Sequence, residues 1–327
     1  LSTDTRKCYR YRWSRDFSQK RRGNLIIQRS TSVPQLPLIA LMTLWFVTVG
    51  CLNSDPPSAA LPSPTTTTLS LRPVLGSSDL AIGSNRLVFA LLDSQSAPIR
   101  ASSVAVKLSL VEDDIPIPQS NLSAVFRPWP SGPGGVFTTN VVFTKAGTWA
   151  AELTPIDGRA AGELARMVIK VVEQSATPGI GSAAPRTVNL TARDVSSLEE
   201  LTSDLNPDPN LYSMTITEAL DQGKPLLVAF ATPGLCSSAT CGPQIDVIKE
   251  MRGNYNDRAN FIHIELFSNP HEIPENPSKA IVAEAVNEWG LPSEPWSFLI
   301  NGNGEIVAKF EGFASREELE LALDALL

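Results

Sequence analysis

The chain has 327 residues, of which 43% are hydrophobic, so it can build about two packed domains. Its net charge is −7, but residues 1–33 hold nine Lys/Arg and two Asp, a net of +7, which leaves −14 for residues 34–327. A body this acidic argues against binding to nucleic acid or to an anionic membrane surface through its own charge.

The N-terminal region, residues 1–51, combines this positive charge with a short apolar run that is typical of a secretion signal. The run spans residues 36–49, and its 14 residues are fewer than the roughly 20 that a membrane-spanning helix needs. It ends at Gly50-Cys51, which resembles the bacterial lipobox, although Thr48 stands where that motif usually has Leu. The resemblance implies that Cys51 becomes a lipidated N-terminus and anchors the chain to a membrane.

Lipidation, an uncleaved signal anchor and plain secretion are the three alternatives for this region. All three place the body of the protein outside the cytoplasm, where disulfides persist. We therefore expect an extracytoplasmic protein that is membrane-anchored as a bacterial lipoprotein. The chain opens with Leu and its first Met is Met42, which indicates a fragment or a misplaced start.

Two segments have compositions that cannot bury a core of their own. Residues 52–70, rich in Pro and Thr, are predicted to be a tether. Residues 175–210 are predicted to be a linker. These boundaries divide the body into one domain at residues 71–174 and a second at residues 211–327.

Short strand-like runs separated by turn residues recur through residues 71–174 and predict an all-β domain. The runs are residues 86–92, 104–111, 136–143, 148–153 and 164–172, and apolar residues alternate along several of them. The pattern FTKAGTW at residues 143–149 resembles bacterial immunoglobulin-like modules of exported proteins, which implies a β-sandwich. Because the region contains no His or Cys, we expect a spacer or an interaction module rather than a metal or active site.

From about residue 211 the pattern changes to alternating helices and strands, which predicts an α/β domain. Helices are predicted at residues 215–222, 244–255 and 278–289, and strands at residues 226–232, 259–267, 296–300 and 305–311. The sequence NGNG at residues 301–304 predicts a hairpin between the last two strands. Ser315, with Glu318 three residues later, predicts a capping box at the start of the last helix.

Two cysteines, Cys236 and Cys241, lie between the strand predicted at residues 226–232 and the next helix. A cysteine at a helix N-terminus meets unpaired N–H groups and the positive end of the helix dipole, which favour the reactive thiolate. The pair therefore suggests thiol–disulfide chemistry, with a structural disulfide or two inert thiols as the alternatives. Five residues rise about 7.5 Å in a continuous helix, and a disulfide needs Cα atoms within about 7 Å. Either Cys236 lies in the loop before the helix, or the first helical turn must open.

The order strand, cysteine-bearing loop, helix, strand, helix, hairpin and helix resembles the thioredoxin fold. Residues 224–230 resemble the strand before the thioredoxin active site, residues 289–296 the segment with the cis-proline, and residues 304–312 the closing hairpin. The resemblance implies that Cys236 is the exposed nucleophile. It also implies that Pro295 is a cis-proline that faces the disulfide and offers backbone groups to an extended partner chain.

The sequence departs from the thioredoxin pattern around the cysteines. Four residues separate them instead of two, and Ala229 stands where the family has a buried carboxylate that takes a proton. His263 and Glu265, two residues apart on one predicted strand, could replace the missing base. The alternatives are a buried, hydrogen-bonded strand residue for His263 and a solvated strand end for Glu265.

These observations favour an exported thiol–disulfide oxidoreductase of thioredoxin type that needs no metal and no cofactor. In this hypothesis Cys236 attacks a disulfide of the partner and Cys241 resolves the mixed disulfide. The partners would be exported cysteine-containing proteins and a membrane or extracytoplasmic reductant.

Two other functions remain as alternatives. Residues 232–242 also resemble peroxiredoxins with two cysteines five apart on one helix, which implies a hydroperoxide reductase that forms a sulfenic acid. Pro233 and Ala229 stand where the peroxiredoxin motif has Thr and Pro. The other alternative is a non-enzymatic, lipid-anchored adaptor in which the two cysteines form a permanent disulfide.

Overall fold

The computed structural model describes residues 70–130, 132–236 and 240–327, which form two β-sheets. The predicted signal segment, nearly all of the predicted tether and the lipidation candidate Cys51 lie outside the described residues. Within the described ranges, no helix combines the length and the apolar character needed to cross a membrane.

The N-terminal domain is one antiparallel sheet of seven strands in the order β1-β2-β5-β4-β3-β6-β7. The strands are β1 (Arg72–Leu75), β2 (Gly83–Leu92), β3 (Ser103–Glu112), β4 (Ile115–Pro128), β5 (Gly135–Phe143), β6 (Gly147–Pro155) and β7 (Ala165–Val171). The two ends of the sheet meet, since Val172, just after β7, pairs with Ala81, between β1 and β2. The sheet-rich N-terminal domain is confirmed, but this nearly closed single sheet does not confirm the immunoglobulin-like sandwich.

Alternating apolar residues build the core of this domain, because successive side chains of a strand point to opposite faces. In β3, Val104, Val106 and Leu108 are buried whereas Lys107 is exposed. Trp149 of β6 belongs to the same buried cluster. The alternation predicted for these strands is therefore confirmed.

The sequence patterns do not predict β4, which contains Pro116 and Pro118. A proline cannot donate a hydrogen bond within a sheet, so prolines normally argue against a central strand. The half of β4 that contains Pro116 and Pro118 pairs with β3, and the pairing with β5 is confined to Val125–Pro128. These two prolines therefore lie on an edge, where their missing N–H groups cost little.

The C-terminal domain has a four-stranded sheet in the order β11-β10-β8-β9. Its elements are α1 (Ile216–Asp221), β8 (Leu226–Phe230), α2 (Cys241–Tyr255), β9 (Asn260–Ile264), α3 (Glu284–Glu288), β10 (Trp296–Ile300), β11 (Ile306–Glu311) and α4 (Arg316–Asp324). β8 and β9 are parallel, and the other pairs are antiparallel. One apolar cluster joins the sheet to α2 and α4, and another joins it to α1 and α3, so both faces of the sheet are covered.

The predicted hairpin joins β10 to β11, and the predicted capping box between Ser315 and Glu318 begins α4. The helix predicted at residues 278–289 is found, but it is shorter than predicted. The observed helix, α3, spans only five residues. Val282, two residues before the start of α3, pairs with Phe267, and this pairing prevents the helix from beginning earlier in the chain.

The segment between the two sheets, residues 173–215, covers edges of the C-terminal sheet. Gly181 N donates to Ile306 O at 2.7 Å, and Ile306 N donates to Ser182 O at 2.9 Å. These two hydrogen bonds pair the segment with the start of β11. At the opposite edge, the 3₁₀ turn Pro209–Tyr212 packs against β9.

Buried polar contacts join the N-terminal sheet to the C-terminal domain. The Arg86 guanidinium forms an ion pair with the Glu318 carboxylate at 3.0 Å, and both side chains are almost buried. The same guanidinium donates to two main-chain carbonyls near the end of β11. A second buried ion pair joins Asp79 to Lys309 of β11 at 3.5 Å.

Candidate active site

The two candidate cysteines form a disulfide at the carboxyl end of β8, with their Cα atoms 6.2 Å apart. Cys236 lies in the loop after β8, where its N–H donates to Thr232 O at 2.9 Å. Cys241 is the first residue of α2. Of the two arrangements that would allow a disulfide, the structure therefore adopts the one with Cys236 in the loop.

The two cysteines differ in their exposure. Cys241 is fully buried in the apolar cluster between the sheet and α2, whereas Cys236 is only partly buried at the margin of that cluster. Cys236 is therefore the more exposed of the two cysteines, while Cys241 is shielded by the protein.

The Glu294–Pro295 peptide bond is cis, at the residue for which the thioredoxin resemblance implies a cis-proline. The next residue, Trp296, begins β10 and pairs with Phe230 at the end of β8, so this loop enters one strand beside the point where the cysteine-bearing loop leaves its neighbour. Gly312 N donates to Pro295 O at 2.8 Å and ties the loop to the end of β11.

The acid next to this proline faces the disulfide. Glu294 Oε2 lies 3.6 Å from Cys241 Sγ and accepts hydrogen bonds from Thr232 N, at 3.0 Å, and from Thr232 Oγ1. Burial raises the pKa of Glu294, and the Thr232 hydrogen bonds partly offset the rise. Glu294 is not among the residues predicted from sequence, although an acid directly before an expected cis-proline is a signal that could identify it.

Glu265, one of the two predicted bases, is buried directly after β9. Ser203 N and Ser203 Oγ each donate to Glu265 Oε2 at 2.8 Å, while Oε1 has no hydrogen-bond partner in the described part of the chain. Burial raises the pKa of Glu265 to about 8, and the charge of Glu294 contributes to the rise. Ser203 Oγ also accepts from Gly234 N at 3.0 Å, which links this carboxyl group to the cysteine-bearing loop. Glu265 is therefore not a solvated strand end.

His263, the other predicted base, pairs with Ala229 in the register of β8 and β9, beside the position of the missing carboxylate. His263 Nε2 lies 3.0 Å from Ala231 O, and because a carbonyl only accepts, Nε2 carries the proton. Nδ1 then accepts from Tyr212 Oη at 2.7 Å. Burial lowers the pKa of His263 to about 4, so the ring is neutral. This geometry favours a hydrogen-bonded strand residue over the predicted role as a base.

Three potential ligand atoms converge at the site. The sulfurs of Cys236 and Cys241 and a carboxylate oxygen of Glu294 lie within 4.8 Å of one another, and no other such group of His, Cys, Asp and Glu occurs in the described ranges. In the disulfide the two sulfurs are bonded to each other and cannot act as thiolate ligands. A metal ion could bind here only in the reduced protein, so the absence of a metal stays a prediction.

The N-terminal domain reaches the loop that contains the cis-proline. The Glu311 carboxylate accepts hydrogen bonds from Ser78 N at 2.7 Å, Ser78 Oγ at 2.5 Å and Ser293 Oγ at 2.7 Å. Ser293 Oγ in turn accepts from Trp296 Nε1 at 3.0 Å. A residue of the first domain therefore helps to hold the loop beside the disulfide.

Fold and site together define the class of the C-terminal domain. An inner strand leads into a cysteine pair and a helix, a cis-proline precedes the adjacent strand, and a hairpin and a helix close the domain. Residues 212–327 match the family model of the thioredoxin-like domain. This part of the chain is therefore a thioredoxin-like domain, which confirms the resemblance drawn from the sequence.

Two solved structures are similar to parts of this chain. StoA from Bacillus subtilis is 23% identical, with 31% of this chain and 82% of that chain covered and a TM-score of 0.24. A thiol-disulfide oxidoreductase from Bacteroides fragilis NCTC 9343 is 18% identical, with 36% of this chain and 94% of that chain covered and a TM-score of 0.26. No match to the chain was found among the curated proteins. The assignment of the domain rests on the family match and on its own topology.

Proposed function

We propose that the protein is a thiol–disulfide oxidoreductase that works through Cys236 and Cys241 outside the cytoplasm. The observation that carries this proposal is the asymmetry of the pair, in which one partly exposed and one buried cysteine lie beside a cis-proline. A structural disulfide needs no access from outside, whereas thiol–disulfide exchange needs one sulfur that a partner can reach.

In the reduced protein, the Cys236 thiolate attacks a disulfide of the partner protein. A bond forms between Cys236 Sγ and one partner sulfur, and the second partner sulfur leaves as a thiolate. Cys241 then attacks Cys236 Sγ, which forms the intramolecular disulfide and releases the first partner sulfur. The enzyme loses two electrons and the partner disulfide gains them, and the reverse sequence oxidises a partner dithiol.

Two features of the fold support this reactivity. Cys241 begins α2, a helix of 15 residues, and the positive end of the helix dipole stabilises a nearby thiolate. Pro295 lies in the adjacent loop, where the resemblance to thioredoxins implies that an extended partner chain binds.

The N-terminal sequence supports the proposed location. The signal-like residues 36–49 and the lipobox-like Cys51 would anchor the protein to a membrane as a bacterial lipoprotein. The proposed partners are exported cysteine-containing proteins and a membrane or extracytoplasmic reductant. The N-terminal domain, proposed to be an immunoglobulin-like module, would serve as a spacer or an interaction module.

The reduction potential of the cysteine pair tests the function. A working redox pair should have a potential above about −300 mV, whereas a structural disulfide should lie below that value. In an insulin-reduction assay we expect Cys236→Ser to abolish turnover and Cys241→Ser to accumulate a mixed disulfide.

The two alternatives give different outcomes in the same experiments. A potential below about −300 mV together with no insulin reduction would support the adaptor with a permanent disulfide. Hydroperoxide consumption that is lost in Cys236→Ser, without insulin reduction, would support the peroxiredoxin-like enzyme.

A further inference from the structure

We propose that Glu294 is the base that accepts the proton of the Cys241 thiol when Cys241 resolves the mixed disulfide. This inference rests on the oxidoreductase function proposed above. It assigns the role to a residue of the cis-proline loop, whereas the thioredoxin resemblance places the proton-accepting carboxylate on the strand before the cysteines, where this chain has Ala229.

The buried position of Cys241 creates the need for such a base. Its side chain is fully buried within the apolar cluster that includes Ile245 of α2. Apolar surroundings disfavour the charged thiolate, which is the form that attacks a disulfide. Because bulk water does not reach the sulfur, a group inside the site has to accept the proton.

Glu294 has the geometry that this step requires. Its Oε2 atom lies 3.6 Å from Cys241 Sγ, so the thiol of the reduced protein can donate to it. The two hydrogen bonds from Thr232 hold this oxygen in place. The raised pKa of Glu294 brings its basicity closer to that of a thiol, which makes the proton transfer less unfavourable.

The other two titratable groups of this region are less suited to the role. The nitrogens of His263 are engaged with Ala231 O and Tyr212 Oη, so the ring has no free lone pair. Glu265 is held by Ser203, and with a pKa of about 8 it is already protonated at neutral pH. Because Glu265 is uncharged, Glu294 is the one of these two interacting carboxyl groups that can carry the negative charge.

Atoms and charges balance in the proposed step. The Cys241 thiol gives its proton to Glu294 Oε2, and the resulting thiolate attacks Cys236 Sγ. The bond between Cys236 and the partner sulfur breaks as the Cys236–Cys241 bond forms, and the partner sulfur leaves as a thiolate. Glu294 then returns the proton to that thiolate or to water, and the partner disulfide is the only oxidant consumed.

The variant Glu294→Gln tests the proposal, because it keeps the size of the side chain and an acceptor for Thr232 but removes the base. In a single-turnover reaction, the first attack by Cys236 should not slow, because the variant removes a negative charge that lies within 4.8 Å of Cys236 Sγ and disfavours its thiolate. Resolution should slow by about 10²- to 10⁴-fold, the usual contribution of a general base, so that the mixed disulfide accumulates. Acid quenching followed by mass spectrometry measures that species over time. Glu294→Asp, with a carboxylate of shorter reach, should give an intermediate rate.

The pH profile of the resolution step separates a base from a structural role. The wild-type rate should level off above the pKa of Glu294, whereas in Glu294→Gln it should rise until the Cys241 thiol itself ionises. Thr232→Val removes one hydrogen bond to the Glu294 carboxylate, which should raise the pKa of Glu294. The resolution rate of this variant should therefore level off at a higher pH than that of the wild type. The groups that face Glu294 and titrate are Glu265 and Cys241, since Cys236 is bonded to the partner in this step. The exposed Glu305 provides a control, and Glu305→Gln should change neither step.

Three outcomes would overturn the proposal. If Glu294→Gln resolves at the wild-type rate, Glu294 is not the base, and the oxidoreductase function still stands because the mixed disulfide forms and resolves. If resolution slows but keeps the wild-type pH profile, the role of Glu294 is structural. If Cys241→Ser never forms a mixed disulfide, the oxidoreductase function itself fails and the role of Glu294 fails with it.

Discussion

The protein surrounds two buried carboxyl groups in opposite ways. Asp79, at the contact between the domains, accepts hydrogen bonds from the Ser175 and Thr177 hydroxyls and from two main-chain N–H groups, and lies 3.5 Å from Lys309 Nζ. Burial by itself raises the pKa of Asp79, but these hydrogen bonds lower it below the ordinary value. Glu265, near the disulfide, has one oxygen without a partner in the described ranges, and burial raises its pKa to about 8.

The surrounding donors, more than burial itself, explain the difference between these two groups. A carboxylate that receives several hydrogen bonds and has a cation nearby stays charged and can hold two domains together. A carboxyl group with an unpartnered oxygen keeps its proton at neutral pH. Burial raises the pKa of Glu294 as well, so the cysteine site holds two carboxyl groups that are weaker acids than an exposed glutamate.

The largest expected effect is at the contact between the domains. Asp79→Leu leaves Lys309 buried without its anion and removes the acceptor of four hydrogen bonds. Because breaking a buried ion pair costs about 3–5 kcal/mol, the free energy of unfolding should fall by about 4 kcal/mol. Chemical denaturation measures the change. The double variant Asp79→Leu with Lys309→Met should recover part of the lost stability. If Asp79→Leu has the same free energy of unfolding as the wild type, this contact does not stabilise the fold.

A smaller effect is expected for Glu265, and it depends on pH. The pKa of Glu265 rises from 4.5 to about 8 on folding, so its contribution to stability is complete below pH 4.5 and is lost as the pH rises to about 8. Glu265→Gln removes this dependence. Between pH 4.5 and about 8, the unfolding free energy of the variant should therefore rise by about 3 kcal/mol relative to that of the wild type. One pKa unit corresponds to about 1.36 kcal/mol, and relaxation of the site makes the effect smaller than the full pKa shift would give. Denaturation at a series of pH values measures it, and parallel curves for the two proteins would contradict the prediction.

The smallest effect is expected for Ser203→Ala, which removes one hydrogen-bond donor to Glu265 and keeps the main-chain N–H. With fewer donors the carboxylate is less favoured, so the pKa of Glu265 should rise further, and the stability cost should be about 1 kcal/mol. An NMR titration of the Glu265 carboxyl carbon measures the pKa. Ser268→Ala, at an exposed serine beyond the same strand, provides the control. If the titration of Glu265 is the same in both variants, the number of donors does not set its pKa.

The parts of the fold that the sequence predicts correctly are those that neighbouring residues determine. The turn at residues 301–304 and the Ser315 capping box depend on a few adjacent side chains, and both are found. β4 and α3 depend on distant partners. The two prolines in the first half of β4 are tolerated because that half of the strand lies on an edge, and the pairing of Val282 with Phe267 shortens α3.

The same distinction explains the site. The cysteine pair and the cis-proline loop have local sequence signals, so the residues could be named in advance. The protonation of Glu265 and Glu294 depends on Ser203 and Thr232, each 62 residues earlier in the chain. The spacing of acids in the sequence therefore could not reveal how burial and these donors set the pKa of each carboxyl group, nor that His263 has both nitrogens engaged.

The covered edge of β11 has a consequence for how other polypeptides approach. An open strand edge is a template on which a foreign chain can add itself, and proteins that expose one risk aggregation. At the start of β11 the backbone groups of Ile306 are already used by Gly181 and Ser182, and at its end the main-chain carbonyl of Glu311 accepts a hydrogen bond from the Arg86 guanidinium. A foreign chain is therefore kept from extending the sheet at both ends of this strand, which limits self-association through this edge.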